Sequence, residues 1–496
     1  MSLFRKKDLT AMLAQAEDGG KGLKRTLGAG NLIALGVGAI IGAGLFVRTA
    51  AAAGQAAGPA VTISFIVAAI GCAFAGLCYA EFAAMIPISG SAYAYSYVTM
   101  GETVAWIIGW ALIMEYALGA ATVSIAWSEY LNKLLGGSIP YEWSHSPFES
   151  ITDTAGVVHH GIMNAPALVI LLLLTLLLIK GTQESAIVNA IIVFIKVAIV
   201  LLFIFIGWKF INPANHTPYL IPADQAPVVD GSGKVIADYS GVFKHGWGGV
   251  LGGAAIVFFA FIGFDAVSTA AQEAKNPKRD MPIGILGSLV VCTILYILFG
   301  HVLTGVANWK DFVDPLKGRE ASVAYAISTY MTGYGWLATA VTVAILAGFS
   351  SVILVMLMGQ SRVFFSMAND GLLPSVFSDL HPKYRTPYKS NWILFVFVGA
   401  FAAFVPGSVA GDLTSFGTLF AFVLVSAGVW ILRKKSPEME RPFKTPFVPL
   451  VPILGAVICL AMIFALDAQT LKVAFAWMAL GLVVYFVYSR KHSKLN

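Results

Sequence analysis

Hydrophobic residues are grouped along this chain into runs of about 20 residues, and polar segments separate the runs. A run of that length crosses the hydrocarbon core of a bilayer as a helix, which satisfies every backbone polar group within the segment. The pattern therefore predicts an all-α polytopic membrane protein with twelve transmembrane helices. The predicted spans, numbered in chain order, cover residues 29–53, 60–85, 102–134, 163–180, 186–209, 248–272, 283–306, 336–367, 391–406, 413–433, 447–467 and 471–489.

Two segments between the spans have patterns of their own. Residues Ala321–Thr332 are amphipathic, which predicts a short surface helix before span 8. Residues Ser91–Met100 are aromatic and uncharged, which indicates a segment at the membrane interface between spans 2 and 3. The long loops 136–163 and 212–246 show no apolar period, so neither is expected to contribute to the helical core.

The composition also indicates a membrane protein. Hydrophobic residues make up 58% of the chain and charged residues only 12%, whereas soluble domains contain about 25% charged residues. The first 30 residues are polar and contain no apolar core, so no cleavable signal peptide is expected.

The spacing of ligand-type residues predicts no cofactor and no metal. His159 and His160 lie in the polar loop 136–163 and are interpreted as part of a solvated loop rather than as a metal site. The cysteines all fall inside predicted spans and are interpreted as small buried hydrophobes that form no disulfide framework. They are Cys72, Cys78, Cys292 and Cys459.

The distribution of basic residues predicts the orientation in the membrane. Of the 32 lysines and arginines, 22 lie in the two tails or on the side of the even-numbered gaps, nine lie on the opposite side, and Lys196 lies within a span. Basic residues concentrate on the cytoplasmic side, so both termini are predicted to be cytoplasmic. The formal charge of +6 is therefore explained by the basic residues on the cytoplasmic side of the membrane, and no nucleic-acid partner is expected.

Span 1 contains the sequence NLIALGVGAIIGAGLFV, in which glycine interrupts an apolar helix at Gly36, Gly38, Gly42 and Gly44. Glycine costs about 1 kcal/mol in a helix interior relative to alanine, so the cluster needs a physical reason. Gly38 and Gly42 are spaced for close packing of two membrane helices. A dinucleotide-binding loop is not favoured, because no strand precedes the glycines and no acidic residue follows at the right distance. The third interpretation, which this stretch alone does not separate from helix packing, is a helix that breaks at mid-membrane, where freed backbone groups meet a ligand.

Span 6 favours the broken helix, because its sequence FAFIGFD places a glycine and a carboxylate at a similar depth. Paired interrupted helices in corresponding positions of two halves indicate a transporter binding site. Span 6 follows five helices after span 1, an odd number, so the two halves are predicted to be inverted. This division predicts a transport core at 29–433, formed by one repeat at 29–209 and a second at 248–433. Two further helices lie within 447–489, and residues 1–28 and 490–496 are the predicted cytoplasmic tails.

The break in span 1 predicts sites for both charges of an α-amino acid. The second half-helix would begin after Gly42, near Ala43 and Gly44, and its unpaired N–H groups suit a carboxylate. The first half-helix would end near Ile40 and Ile41 and expose carbonyls that suit an ammonium group. Span 6 would add carbonyls near Phe259 and Ile262, which would repel a phosphate at the same place.

Three charged residues lie deep in apolar runs. Lys196 is near the centre of span 5, where a charge is costly and usually functional, and a buried lysine can exchange a proton at physiological pH. Glu115 in span 3 is a candidate proton carrier, a pocket wall for cationic substrates, or a structural partner for a buried donor. Asp265 is expected to satisfy the freed backbone of span 6 rather than to touch substrate. Met356 in span 8 is either core filler or a wall that narrows the side-chain pocket.

Several of these motifs together resemble the amino acid–polyamine–organocation superfamily and, within it, the cationic amino acid transporter group. The motifs are GVGAIIGAGLFV in span 1, GWALIMEYALGAA in span 3, FFAFIGFDAVSTAAQEAKNPKRDMPIGI from span 6 into span 7, and MGQSRVFFSMANDGLLP at the end of span 8. They spread over most of the chain. The resemblance implies a five-plus-five inverted repeat with discontinuous helices 1 and 6 and two additional C-terminal helices.

The resemblance also implies roles for individual residues. Ala43 and Gly44 are similar to the family's carboxylate-binding amides, and Ile40 and Ile262 are similar to its amine-binding carbonyls. The position of Phe259 resembles that of the aromatic gate on the sixth helix.

Two charged residues also resemble residues of the family, and one residue differs from the family's common pattern. Lys196 resembles the lysine that some proton-coupled members place where sodium-coupled relatives bind sodium, and Glu115 matches an acidic residue of the cationic group. Met356 stands where that group commonly has a small residue, and a bulky side chain there argues against arginine or lysine as substrate.

The leading hypothesis is therefore a proton-coupled transporter of small neutral α-amino acids in the plasma membrane, working by alternating access, with weak recognition of cationic amino acids left open. An uncoupled exchanger and a non-transporting amino acid sensor of the same fold are the alternatives. An intramembrane enzyme is not expected, because no nucleophile–base motif lies at depth. The expected partners are the amino acid and membrane lipids. A monomer is expected, and a small single-span subunit is left open.

Overall fold

The structure is a computed structural model of the chain. It describes residues 5–7, 25–42, 44–88, 90–152, 158–229, 235–313, 322–464 and 468–494. The predicted cytoplasmic tail before span 1 lies largely outside the described residues, and so does Ala43 of the predicted site.

Helices lie at all twelve predicted positions, and their ends differ from the predicted ends mostly by a few residues. In the first half they are Ala29–Ile40 with a continuation at Gly44–Ala57, Val61–Met85, Glu102–Leu134, Ala165–Lys180 and Thr182–Gly207. In the second half they are Gly246–Phe261 with Ala266–Thr269, Pro277–Val306, Gly335–Asn369, Tyr388–Phe404, Gly407–Lys435, Leu450–Phe464 and Ala468–Ser489.

The protein is an all-helical, multi-span membrane protein. In the part of the chain that the structure describes, eight helical runs are long and apolar enough to cross a membrane, and four shorter apolar helices accompany them. Large apolar side chains on the outer surface agree with a lipid environment, because a soluble protein rarely exposes contiguous apolar area. Phe194 and Phe205 on span 5 are 76% and 72% exposed, and Phe464 on span 11 is 75% exposed.

Spans 1 and 6 are interrupted, as the glycine pattern predicts. The first helix of span 1 ends at Ile40, Ile41 is extended with ψ 97°, and helical structure resumes at Gly44. Span 6 is α-helical to Phe258, tightens to a 3₁₀ turn over Phe259–Phe261, and then leaves the helix at Ile262. The two interruptions face each other in the interior of the molecule.

The connecting segments contain more regular structure than the sequence pattern indicates. Helix Ser91–Thr99 forms between spans 2 and 3, and all nine of its residues are buried rather than lying on the surface. Helix Ser322–Tyr330 forms before span 8, as expected. Each long loop contains a small antiparallel pair of strands, Ser150–Thr152 with Val158–His160 and Val228–Val229 with Val235–Ala237.

Spans 1, 2, 6 and 7 form one packed group. Spans 5 and 8 also pack against span 1, and span 3 packs against span 8. Short backbone pairing joins the two broken spans at one end. The N–H groups of Thr26 and Leu27 both donate to the carbonyl of Glu273 at 2.9 Å, and the N–H of Lys275 donates back to Leu27 at 2.8 Å. This arrangement holds the start of span 1 against the end of span 6 and so places their interruptions side by side.

Candidate substrate and coupling sites

The break in span 6 depends on a glycine that touches span 1. Gly263 has φ +111°, a left-handed conformation that side chains disfavour. A Cβ atom built on it would lie 3.0 Å from Cβ and 3.1 Å from the carbonyl oxygen of Ala39. The chain therefore turns out of the helix directly against the end of the first half of span 1.

The break in span 1 depends on an equally close approach at Gly44. A Cβ atom there would lie 2.3 Å from Cα and 2.6 Å from Cβ of Ala260. No real Cβ atom tolerates such distances, and the obstacle is backbone, which cannot swing aside. Gly44 is consequently the residue that lets the second half of span 1 begin against the 3₁₀ turn of span 6.

Tyr296 of span 7 bridges the two breaks. Its buried hydroxyl lies 2.8 Å from the carbonyl oxygen of Ile40 and 2.8 Å from that of Ala260, and these two acceptors share its one proton. The carbonyl of Ile40, a predicted ligand of the substrate ammonium, is therefore already a hydrogen-bond acceptor in this structure. Sequence reasoning missed Tyr296, because its partners are 256 and 36 positions away in the chain.

A cavity of about 40 Å³ lies between the two breaks. That volume holds a few water molecules, so an amino acid requires the surrounding helices to move apart. Predicted site residues that line it are Ile40, Gly42, Gly44, Phe259, Ile262 and Met356. Lining residues that the sequence did not indicate are Ala39, Gly119, Thr122, Val123, Val352 and Thr414.

The side-chain end of this cavity is apolar. Met356 and Val352 come from span 8, and Gly119 comes from span 3. The sulfur of Met356 would lie 3.9 Å from a Cβ atom on Gly119, so Met356 forms a wall opposite span 3. Thr122 and Thr414 supply the hydroxyl groups of this end.

Phe259 covers the cavity from span 6, and a cation lies on its ring. The guanidinium carbon of Arg48 is 5.0 Å from the ring centroid. A cation over an aromatic face is attracted by about 0.5–1 kcal/mol at an exposed site. Arg48 therefore connects the second half of span 1 with the ring that lines the cavity.

Lys196 is fully buried and binds the end of the first half of span 1. Its ammonium group donates to the carbonyl of Gly38 at 3.0 Å and to that of Ile41 at 2.8 Å. Ile41 therefore does not line the cavity, and its carbonyl faces span 5 instead. Since Gly348 of span 8 approaches the same carbonyl, spans 1, 5 and 8 meet at this ammonium group.

A second polar contact joins the same three spans one to two turns away. The side-chain amide of Asn189 donates to the carbonyl of Ala34 at 3.1 Å, and its oxygen accepts from the hydroxyl of Ser351 at 2.5 Å. Gly38 passes between these side chains, because a Cβ atom on it would lie 2.6 Å from both oxygens. Asn189 carried no signal in the sequence, since a single asparagine in an apolar run has no spacing to interpret.

Glu115 and Asp265 are buried behind the cavity and do not line it. Asp265 accepts a hydrogen bond from the hydroxyl of Tyr116 at 2.7 Å. Among the described residues, neither carboxylate oxygen of Glu115 has a hydrogen-bond partner. Glu115 precedes Gly119 of the cavity lining by four residues, within the π-helical segment Met114–Leu118.

Within the described ranges, no group of three histidine, cysteine or acidic residues is arranged to hold a metal ion. His159, one of the loop histidines, pairs at 3.1 Å with Glu142 of the 3₁₀ turn Tyr141–Trp143. All four cysteines are buried and free.

Comparison with known proteins identifies the family. The model of the amino acid permease family matches residues 27–488. The branched-chain amino acid permease of Bacillus subtilis is 44% identical over 100% of this chain and 99% of its own length. The methylthioribose transporter of the same organism is 41% identical with the same coverage. Human cationic amino acid transporter 4 is 33% identical over 86% of this chain and 63% of its own length.

These matches span the interrupted helices, the cavity between them and Lys196, and they agree with the resemblance found in the sequence motifs. The family is one of transporters, not of enzymes. The chain is therefore a member of the amino acid permease family, within the amino acid–polyamine–organocation superfamily.

Proposed function

We propose that this permease carries a neutral aliphatic α-amino acid across the cell membrane by alternating access, coupled to a proton. The observation that carries the proposal is the meeting of two broken helices at one cavity. The second half of span 1 begins at this cavity near Gly44, and its free N–H groups suit a carboxylate. The carbonyl of Ile40 and the end of the span 6 turn near Ile262 suit the ammonium group, so a zwitterion matches both.

The apolar side-chain end supports a neutral substrate. Met356 and Val352 offer no partner to a cation, and the carboxyl group of Glu115 lies outside the cavity lining. Burial of an aliphatic side chain there gains about 0.8 kcal/mol per methylene. The side chains of alanine, valine, leucine and isoleucine fit this lining. The last three are the branched-chain amino acids, which the name of the Bacillus subtilis branched-chain permease specifies.

The position of Lys196 supports proton coupling. A sodium ion between spans 1, 5 and 8 would need several oxygen ligands, and the ammonium group already occupies two of those carbonyls. Protonated Lys196 ties span 5 to span 1 and favours the state that accepts substrate from outside. Opening toward the cytoplasm breaks these hydrogen bonds, and the amine then releases its proton.

The proposed architecture has twelve spans with both termini in the cytoplasm. Residues 29–209 and 248–433 form two inverted repeats, and the two interrupted helices occupy corresponding positions in them. The last two helices, within 447–489, pack outside this core, and the protein acts as a monomer. In carriers built this way, one repeat or bundle moves against the other around a fixed binding site, so that the site opens to each side of the membrane in turn.

Methylthioribose is the second candidate substrate, because its transporter is 41% identical to this chain. It is an uncharged thioether sugar without a carboxylate or an ammonium group. It would leave the N–H groups near Gly44 unpaired, which favours the amino acid.

Uptake of radiolabelled valine into proteoliposomes tests the function directly, in competition with all common amino acids, decarboxylated amines and methylthioribose. We expect neutral aliphatic amino acids to compete and the amines and the sugar to compete poorly. Stronger competition by methylthioribose or arginine than by alanine and valine would contradict the proposal. Valine binding without uptake would instead identify a sensor, and uptake that requires a counter-substrate would identify an exchanger.

A further inference from the structure

A second and larger cavity lies between span 3, span 8 and helix Ser322–Tyr330, on the side assigned to the exterior by the basic residues. Its volume is about 300 Å³, the lower end of the range of small-molecule sites. Phe46 of span 1 closes its floor, and most of its walls are aliphatic. Its lining includes Tyr130, Lys133, Leu134, Thr339, Thr342 and Ile345.

This outer cavity lies directly above the cavity between the broken helices. Tyr130 follows Val123 by seven positions on span 3, and Ile345 precedes Val352 by seven positions on span 8. Seven residues are two helical turns, so both pairs share a face and lie about 10 Å apart along the helices. Both cavities therefore belong to one groove between spans 3 and 8.

An aromatic pair divides the groove. The rings of Tyr130 and Phe349 meet edge to face, with centroids 5.5 Å apart and planes at 89°. Phe349 lies between Ile345 and Val352 on the same face of span 8, so the pair stands between the two cavities. A substrate that moves from the outer cavity to the inner one has to displace these rings.

The outer cavity is electropositive. Lys133 is the charged side chain among its described lining residues, and its ammonium nitrogen lies 5.4 Å from the ring centroid of Tyr130. The hydroxyls of Thr339 and Thr342 face the same space, and Thr342 donates its own proton to the carbonyl of Ala338 at 3.0 Å. The oxygen of Thr342 therefore has lone pairs left to accept a hydrogen bond from an ammonium group.

We propose that the outer cavity is a second binding site, which loads an external amino acid before it reaches the inner site. Lys133 pairs with the substrate carboxylate, Thr342 accepts from its ammonium group, and Leu134 and Ile345 cover its aliphatic side chain. The Tyr130–Phe349 pair is the gate to the inner site. This inference rests on the proposed transport of amino acids.

The sizes of the two cavities support this order of events. In this structure the inner cavity has about 40 Å³ and the outer one about 300 Å³. An amino acid from outside therefore fits the outer cavity before the helices separate, and it fits the inner one only afterwards. The ammonium group of Lys133 favours a solute with a carboxylate among small solutes of this size.

Initial rates of radiolabelled L-valine transport, measured separately from the two faces of oriented membrane vesicles, test the outer site. Lys133→Met removes the ammonium group and keeps the length of the side chain. We expect its half-saturation concentration from the outer face to rise about three- to fivefold. From the cytoplasmic face we expect the wild-type value. Lys209→Met is the matched control, since Lys209 is exposed at the outer end of span 5 and away from the cavity, and we expect wild-type values at both faces.

If Lys133→Met and Lys209→Met have the same half-saturation concentration from the outer face, the outer site is overturned. The proposed function would remain intact. An equal rise at both faces would show that Lys133 acts on the inner site. An effect that requires anionic lipid, and disappears in vesicles of pure zwitterionic phosphatidylcholine, would assign Lys133 to an anionic lipid headgroup and overturn the amino acid site. Absence of valine transport in the wild type would contradict the proposed function, and this inference with it.

Discussion

At the scale of single residues, Met356 sets the predicted selectivity. It is 3% exposed, lines the inner cavity from span 8 and faces Gly119 across it. We predict that Met356→Ser lengthens the side-chain end of the cavity and raises arginine uptake relative to valine, because Glu115, four residues before Gly119, offers a partner for the guanidinium group. The measurement is the ratio of radiolabelled arginine uptake to valine uptake.

Met358 provides the control for this substitution. It is equally buried, at 3% exposure, but it lines a different cavity, next to Leu35 and Asn189. Met358→Ser therefore removes the same volume without touching the inner site, and we expect an unchanged ratio. A wild-type preference for arginine, or an equal shift in both variants, would refute the role of Met356.

How far single residues can be predicted from sequence depends on what they contact. Lys196 was predictable, because a charge in the middle of an apolar run stands out against its neighbours. Tyr296 was not, because a tyrosine fits an apolar span, and its role depends on two carbonyls from distant parts of the chain. Glu115 carried a clear signal of depth, yet its sequence position alone left open whether it lines the cavity.

At the scale of elements, the contact between the two broken helices determines the inner site. A Cβ atom on Gly44 would meet the backbone of Ala260 at 2.3 Å, so Gly44→Ala forces the second half of span 1 away from span 6. We predict loss of amino acid binding and a decrease of about 1–3 kcal/mol in the free energy of unfolding, as overpacking typically causes. Binding of radiolabelled valine and thermal unfolding in detergent measure the two effects.

Gly30→Ala is the control, because no other segment of the described residues comes within 4 Å of a Cβ atom built on Gly30 in the same span. Alanine favours a helix over glycine, so we expect unchanged binding and equal or higher stability. If Gly44→Ala and Gly30→Ala bind valine with the same affinity, the break of span 1 is not part of the binding site.

The breaks themselves could be predicted from the sequence, since glycine clusters inside apolar runs are costly without a structural use. Their detailed shape could not. The positive φ at Gly263 and the extended Ile41 follow from the fit of span 6 against Ala39 and of Lys196 against span 1. Both fits join residues that are more than 150 positions apart, and a linear pattern does not contain such contacts.

At the scale of the whole molecule, residues near both termini meet at the end of span 8. The carboxylate of Asp370 pairs with the ammonium group of Lys7 and accepts from the hydroxyl of Tyr93 at 2.8 Å. Its backbone carbonyl accepts from the N–H of Lys494 at 3.0 Å. The buried helix Ser91–Thr99, which the sequence indicated as interfacial, is held inside this assembly. Its burial could not be predicted, because the helices that cover it include span 10, more than 300 positions away in the chain.

We predict that Asp370→Asn lowers the free energy of unfolding by about 1–3 kcal/mol. The substitution removes the negative charge that pairs with the largely buried ammonium group of Lys7 and accepts from the hydroxyl of Tyr93. Asp379→Asn is the control, because its ion pair with Lys389 at 2.7 Å leaves both side chains 45% exposed and contributes about 0–1 kcal/mol. Thermal unfolding of both variants gives the comparison. Equal stability losses would show that the contacts at Asp370 do not hold the termini.

We propose that Lys196 couples a proton to amino acid transport through the end of the first half of span 1. The direct measurement is accumulation of radiolabelled valine in sodium-free proteoliposomes under an imposed pH gradient, together with valine binding in detergent. Lys196→Ala removes the amine that binds the carbonyls of Gly38 and Ile41 and leaves the inner cavity lining untouched. We predict that the wild type accumulates valine, and that the variant binds valine but brings it only to simple equilibration across the membrane. Sodium-dependent uptake in the wild type, or accumulation against a gradient by Lys196→Ala, would contradict the account.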